Sequence, residues 1–173
     1  MSGPLSGIRV LDLTSVVSGP AAMSTLTDQG ADVIKVESLQ GDQMRRTRTN
    51  AQDSSPGFIS CNRGKRSISL DLKVDEGKDI LRKLITTAGV FAQNFRPGAI
   101  ERLGFGEPEV RDIKSDIVYL SISGVGETGP YVGKRVYDPV VQALSGLADI
   151  QADPITGRPR MVRTLVADKT TAI

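Results

Sequence analysis

The amino-acid sequence predicts an α/β protein built on a mostly parallel sheet with helices on both faces. Three observations lead there. Short apolar runs rich in β-branched residues recur along the chain, and stretches with helical spacing stand between them. The 173 residues suffice for one domain, which at this size buries roughly 70% of its unfolded surface. Hydrophobic residues make up 39% and charged residues 24%, the balance of an ordinary globular chain.

The first run, residues 8–13 (IRVLDL), lies between Gly7 and the turn region 14–20 and reads as a buried strand. After Gly19-Pro20, residues 21–28 are helix-compatible and close at Gly30. Residues 31–37 (ADVIKVE) form the second strand. Polar residues with Pro56 and Gly57 then make a long loop up to residues 67–72 (SISLDL), which alternate as a third strand. Residues 75–87 set Ile80, Leu81, Leu84 and Ile85 at helical spacing, stop at Gly89, and lead straight into strand 90–95. Pro97 opens another helix, 107–114 is a further one, and 117–123 (IVYLSIS) is the last strong strand. A helix over 139–147 and a loop over 151–159 lead to residues 161–166. In open sheets of this kind a ligand sits beyond the carboxyl ends of the strands. The loops after Leu13, Leu72, Phe95 and Ser123 are therefore expected to converge there.

The chain has no histidine, which removes Ser-His-Asp and Cys-His catalysis, HExxH zinc sites and any imidazole proton shuttle. Chemistry falls to carboxylates, Lys, Arg, Tyr and hydroxyls. Cys61 is the only cysteine, so neither an intrachain disulfide nor a cysteine-cluster metal site is expected. No apolar run nears the roughly 20 residues that span a bilayer, and the opening MSGPLSGIRV lacks the parts of a signal peptide. A cytoplasmic location is expected, with neither a membrane nor a nucleic acid as partner. Net charge is +2, but residues 41–70 hold Arg45, Arg46, Arg48, Arg63, Lys65 and Arg66 against Asp42 and Asp53. Such a basic stretch suits a phosphate-bearing ligand or, equally well on charge alone, a solvated loop.

Two nucleotide motifs fail on context. Gly124-Val125-Gly126-Glu127-Thr128-Gly129 matches GxGxxG and follows a strand, but Pro130, Tyr131 and Gly133 continue a loop where a helix should begin. Gly64-Lys65-Arg66 lacks the upstream glycine and the Ser/Thr of a P-loop.

Seven phrases, taken in order and spanning nearly the whole chain, resemble the family III CoA-transferases (the CaiB/BaiF group). They are GIRVLDLTSVVSGP, GADVIKVE, NRGKRSISLDLK, FAQNFRPGAIERLGFG, YLSISGVGETGPY, VYDPVVQALSG and VADKTTA. The resemblance implies a Rossmann-like large domain that binds coenzyme A. Members of the family are longer, with a small second domain and a segment that returns to the large one, whereas this chain stops five residues past Asp168. It is accordingly expected to be the amino-terminal part alone, inactive by itself, and an interlocked homodimer at full length.

Asp168 matches the family's nucleophile. The resemblance implies that it attacks an acyl-CoA thioester to form a mixed anhydride, passes through an aspartyl-CoA thioester, and yields CoA to an incoming carboxylic acid. An unperturbed Asp, with a pKa of about 3.9, is ionised at neutral pH and needs no base. Without the family, Asp168 would read as the N-cap of a helix over VADKTT. Val17 and Ser18 match the first loop, over the thioester end. Leu70, Asp71, Leu72 and Lys73 match the segment along the nucleotide, and Asn94, Phe95 and Arg96 the loop after the fourth strand. Arg102 matches a phosphate ligand, and Arg135, Val136, Tyr137 and Asp138 the stretch facing pantetheine and active site. Guanidinium forks suit phosphates, although Arg102 without the resemblance reads as a surface charge. Acyl-CoA enters as substrate, and neither a permanently bound cofactor nor a metal is expected.

Members handling formyl and oxalyl groups carry glutamine at the position of Val17 and arginine at that of Ser38, so a larger or less polar acyl group is expected here. Two rivals remain. An acyl-CoA racemase of the same fold uses a His-Asp base pair, and Tyr137 occupies the place of that His. A non-catalytic CoA-binding fragment would bind without turnover.

Overall fold

A computed structural model describes residues 3–47 and 55–173 of the chain. Arg48 and Asp53 of the basic stretch lie outside the described residues. Five strands, β1 (Arg9–Asp12), β2 (Asp32–Glu37), β3 (Arg66–Ser69), β4 (Val90–Gln93) and β5 (Val118–Ser121), pair in the order β3-β2-β1-β4-β5. Every pair is parallel. The chain winds outward from β1 to β3, then returns to lay β4 on the other side of β1. The strand order reverses between β1 and β4, and at such a switch point the loops on either side diverge and leave a crevice.

Side-chain alternation gives the two faces. Leu11 and Leu13 of the first strand region, Ile34 and Val36 of β2, and Phe91 of β4 share one core with helices α3 (Asp75–Ile85), α4 (Ala99–Arg102) and α5 (Glu107–Ile113). Leu81, Ile85, Ile100 and Val110 supply the helix side, and Phe91 stacks on Tyr119 at 5.3 Å. The opposite face packs Val10, Val33 and Ala92 against Met23 of helix α1 (Ser18–Asp28). Each large aliphatic side chain so enclosed stabilises the fold by about 1.5–3 kcal/mol relative to exposure. The α3 face is narrower than its spacing predicts, because Ile80 remains exposed while Leu81 and Ile85 are buried.

The long loop predicted between the second and third strands is partly helical. A 3-10 turn at Gln43–Arg46 is capped by the Asp42 carboxylate, which accepts from Met44 N, and α2 (Pro56–Asn62) is capped by Ser55 with Pro56 at its first position. The helix predicted over 139–147 is two helices, α6 (Asp138–Leu144) and α7 (Leu147–Ile150), parted at Gly146 with φ +79°. α8 (Val166–Thr171) follows. No described helix is long and apolar enough to cross a membrane.

Candidate functional site

A cavity of about 770 Å³ opens at the carboxyl ends of the strands, across the β1/β4 switch. Four loops wall it. Thr14, Ser15, Val16 and Ser18 come from the loop after β1, Ser38 and Asp42 from that after β2, and Asn94, Phe95 and Arg96 from that after β4. Gly124 and Gly126 come from the loop after β5, and residues 132–138 with Ala167, Asp168 and Thr171 of α8 close the remaining side. A helix never follows Gly129 directly, since α6 begins only at Asp138.

Of the four strand-end loops expected to converge, those after Leu13, Phe95 and Ser123 border the cavity and the one after Leu72 does not. None of Leu70, Asp71, Leu72 or Lys73 borders the cavity. β3 is an edge strand two places from the switch, Leu70 is buried in the core with Leu72 packed against it, and the Asp71 carboxylate closes its own turn by accepting from Lys73 N. The loop after β2 takes that place instead. Val17 also turns away: it is the N-cap residue of α1, buried, and leaves Val16 and Ser18 to face the opening. Gly19 makes this approach possible, because a Cβ there would overlap the Thr14 side chain.

The basic stretch is largely spent on the fold. Arg45 pairs with Glu37 at 2.6 Å, Arg63 with Asp28, Lys65 with Asp12 at 2.8 Å and Arg66 with Asp32 at 2.6 Å. Arg46 donates to Gln40 O at 3.3 Å. The exposed guanidinium groups of the site lie elsewhere. Arg96, Arg102 and Arg135 border the cavity, and no acidic group among the described residues pairs with them. Lys134, absent from the sequence reading, joins them with its Nζ 4.4 Å over the Tyr131 ring. Three or four unneutralised cations around one opening form an anion receptor.

Asp168 faces that opening from the first turn of α8, three residues past the N-cap Leu165, and so does not cap the helix. Burial raises its carboxyl above the usual carboxylate range, the nearby Asp138 charge raises it further, and a hydrogen bond from Ser18 works the other way. Asp138 borders the cavity but is itself buried, with both oxygens engaged. Oδ2 accepts from Asp168 N at 3.0 Å and Oδ1 from Gln142 Nε2 at 2.5 Å. Gln142, also missed by the sequence reading, further donates to Thr164 O and accepts from Val162 N at 2.8 Å. Its only signal was a polar residue four positions after Asp138, on the same face of α6. Among the described residues no three ligating side chains converge on a metal-sized site.

A family model described as CoA-transferase family III matches residues 5–173. A succinate–glutarate CoA-transferase of Agrobacterium fabrum is 40% identical over 98% of this chain and 44% of its own length. A formyl-CoA:oxalate CoA-transferase of Streptomyces avermitilis is 46% identical over 84% of this chain and 36% of its own. The crystal structure of a CaiB/BaiF family protein from Brucella suis superposes with a TM-score of 0.92 at 36% identity, covering 98% of this chain and 46% of that one. The chain thus spans less than half the length of these relatives.

Proposed function

The chain belongs to CoA-transferase family III, and from that premise we propose that it is the CoA-binding part of an enzyme that moves CoA from an acyl-CoA thioester to a free carboxylic acid. One observation carries the reading: Asp168 and the unpaired Arg96, Arg102 and Arg135 face the same crevice. The guanidinium groups hold phosphates, Asn94, Phe95 and the exposed backbone of the strand-end loops flank the pantetheine arm, and Val16 and Ser18 front the acyl end. Residues 70–73 lie on the same carboxyl edge, farther along the sheet, where the nucleotide end of so long a molecule can reach.

Asp168 then does the chemistry. Its carboxylate attacks the thioester carbonyl, the carbon–sulfur bond breaks, and CoA leaves as thiolate with a mixed anhydride on the enzyme. The thiolate attacks the aspartyl carbonyl and expels the donor acid, leaving an aspartyl-CoA thioester. An acceptor carboxylate attacks that thioester and releases CoA thiolate, which resolves the second anhydride to new acyl-CoA and free Asp168. Every nucleophile is already an anion, so a chain without histidine suffices.

The test is to incubate the intact protein with acyl-CoA, quench with hydroxylamine or borohydride, and map the modified peptide by mass spectrometry. Modification of Asp168 supports the reading; CoA binding with no adduct would leave only a binding module. Rapid α-deuterium incorporation in deuterated water, with no acceptor acid present, would replace transferase by racemase.

A further inference from the structure

The loop that fronts the acyl end contains the one non-glycine residue among those described with a left-handed backbone, Val16, at φ +72°. A β-branched residue pays heavily for that conformation, and it persists only where its surroundings over-determine it. Here they do. The Asn94 side chain spans Ser15, accepting from its N at 2.9 Å and donating to its O at 2.8 Å. Asp42 Oδ1 accepts from Val16 N at 3.3 Å, and Lys35 Nζ donates to Thr14 O at 2.9 Å. Lys35 and Asp42 themselves form an ion pair at 3.0 Å, with side chains 2% and 1% exposed. The Asp42 oxygen facing the ammonium receives no hydrogen bond, so charge alone joins the two. Lys35 is also out of place as a fold element, since it stands in the interior of a parallel strand that would ordinarily be apolar.

We propose that Lys35 and Asp42, with Asn94, are positioning residues: the buried ion pair locks residues 14–17 in a strained turn and thereby sets Ser18 against Asp168. The catalytic consequence rests on the transferase reading; the clamp does not. Three separate elements, the interior of β2, the loop after it and the end of β4, converge on four consecutive backbone groups, and the helix that begins at Ser18 carries the result to the nucleophile. Exchanging a buried pair for apolar groups leaves a fold intact more readily than removing one partner, which makes the double replacement the useful variant.

The experiment is a thermodynamic cycle between the clamp and the strain. Lys35→Met with Asp42→Ala and Val16→Gly are made separately and together, and Tm is measured for all four proteins. Glycine adopts φ +72° without strain, so Val16→Gly is expected to be clearly less costly in the clamped protein than in the unclamped one, where the turn has already relaxed. Equal Tm changes in both backgrounds would overturn the clamp. For the intact protein, Lys35→Met/Asp42→Ala is expected to lower kcat by about tenfold or more while KM for acyl-CoA stays within about threefold. A folded double variant with wild-type kcat would overturn the positioning role. If the wild-type protein shows no transfer at all, the transferase reading is lost and the Tm cycle alone still decides the clamp.

Discussion

The proposed attack on a thioester requires an ionised carboxylate, yet Asp168 stands where burial, and then the Asp138 charge, favour the neutral acid. Two outcomes follow from that tension. The acid limb of kcat/KM against pH should have its midpoint above the ordinary carboxylate range, and Ser18→Ala should move it higher still, because the hydroxyl supports the anion. The Ser18→Ala rate should therefore fall further in mildly acidic buffer than in mildly alkaline buffer. A parallel drop at every pH would mean that Ser18 does not act on Asp168. Stability runs in the opposite sense. A raised carboxyl binds its proton more tightly in the folded state than in the unfolded one, so stability declines as pH climbs from the unfolded to the folded value. Asp168→Asn should abolish transfer yet raise Tm slightly at neutral pH, with no gain in acid below the usual Asp range. A lower Tm at neutral pH would show that the ionised side chain serves the fold.

At the scale of elements, the polar layer at the carboxyl ends of β1 and β2 governs how the site is held. Glu37 closes β2 with its carboxylate ringed by Arg45, Ser67 Oγ at 2.7 Å and Asp42 N at 2.9 Å. Burial alone would raise its pKa; these donors outweigh burial and lower it to about 2. The stability it supplies is present above the unfolded value and disappears as pH falls toward 2, and it is on the order of 3 kcal/mol. Glu37→Gln should lower Tm at neutral pH and flatten the fall in stability expected of the wild type below about pH 4.5. On the other wall, Gln142→Leu would strip a buried hydrogen bond from Asp138 and leave Val162 N without its partner, at about 1–3 kcal/mol for an unsatisfied buried group. Its expected signature is a lower Tm together with a loss of transfer, since α8 carries Asp168. The strands were legible in the sequence because IRVLDL and ADVIKVE are short, apolar and bounded by turns. α2 and the 3-10 turn were not, because caps such as Ser55 and Asp42 are polar residues that look the same in a loop. Lys35 was overlooked for a related reason: periodicity reports which face a residue takes and says nothing of an ion pair formed with a residue of the following loop.

At the scale of the molecule, charge is sorted between holding the fold and receiving a ligand. On charge alone the basic stretch 41–70 reads equally well as a phosphate receptor or a solvated loop, because composition cannot tell a paired cation from a free one. Folding pairs Arg63 with Asp28 and Arg66 with Asp32, both acids brought in by the neighbouring β1–β2 segment, and leaves Arg96, Arg102, Lys134 and Arg135 around the mouth of the cavity. The two groups should respond differently to substitution. Arg102→Ala and Arg96→Ala each remove an exposed cation with no partner to orphan, so Tm should change little, within about 0.5 kcal/mol of stability. CoA affinity should fall about tenfold for each, or roughly 1.4 kcal/mol. Because exposed charges are screened by salt, raising the ionic strength from about 0.05 M toward about 0.5 M should weaken CoA binding to the wild type and do so less steeply in either variant. Arg66→Ala is the contrast, since its partner Asp32 also holds Arg9 at 2.8 Å, and it should leave CoA binding and its salt dependence unchanged. Isothermal titration at two salt concentrations separates the cases. A loss of CoA affinity in Arg66→Ala, or an unchanged salt slope in Arg102→Ala, would move the phosphate-binding role to the basic stretch.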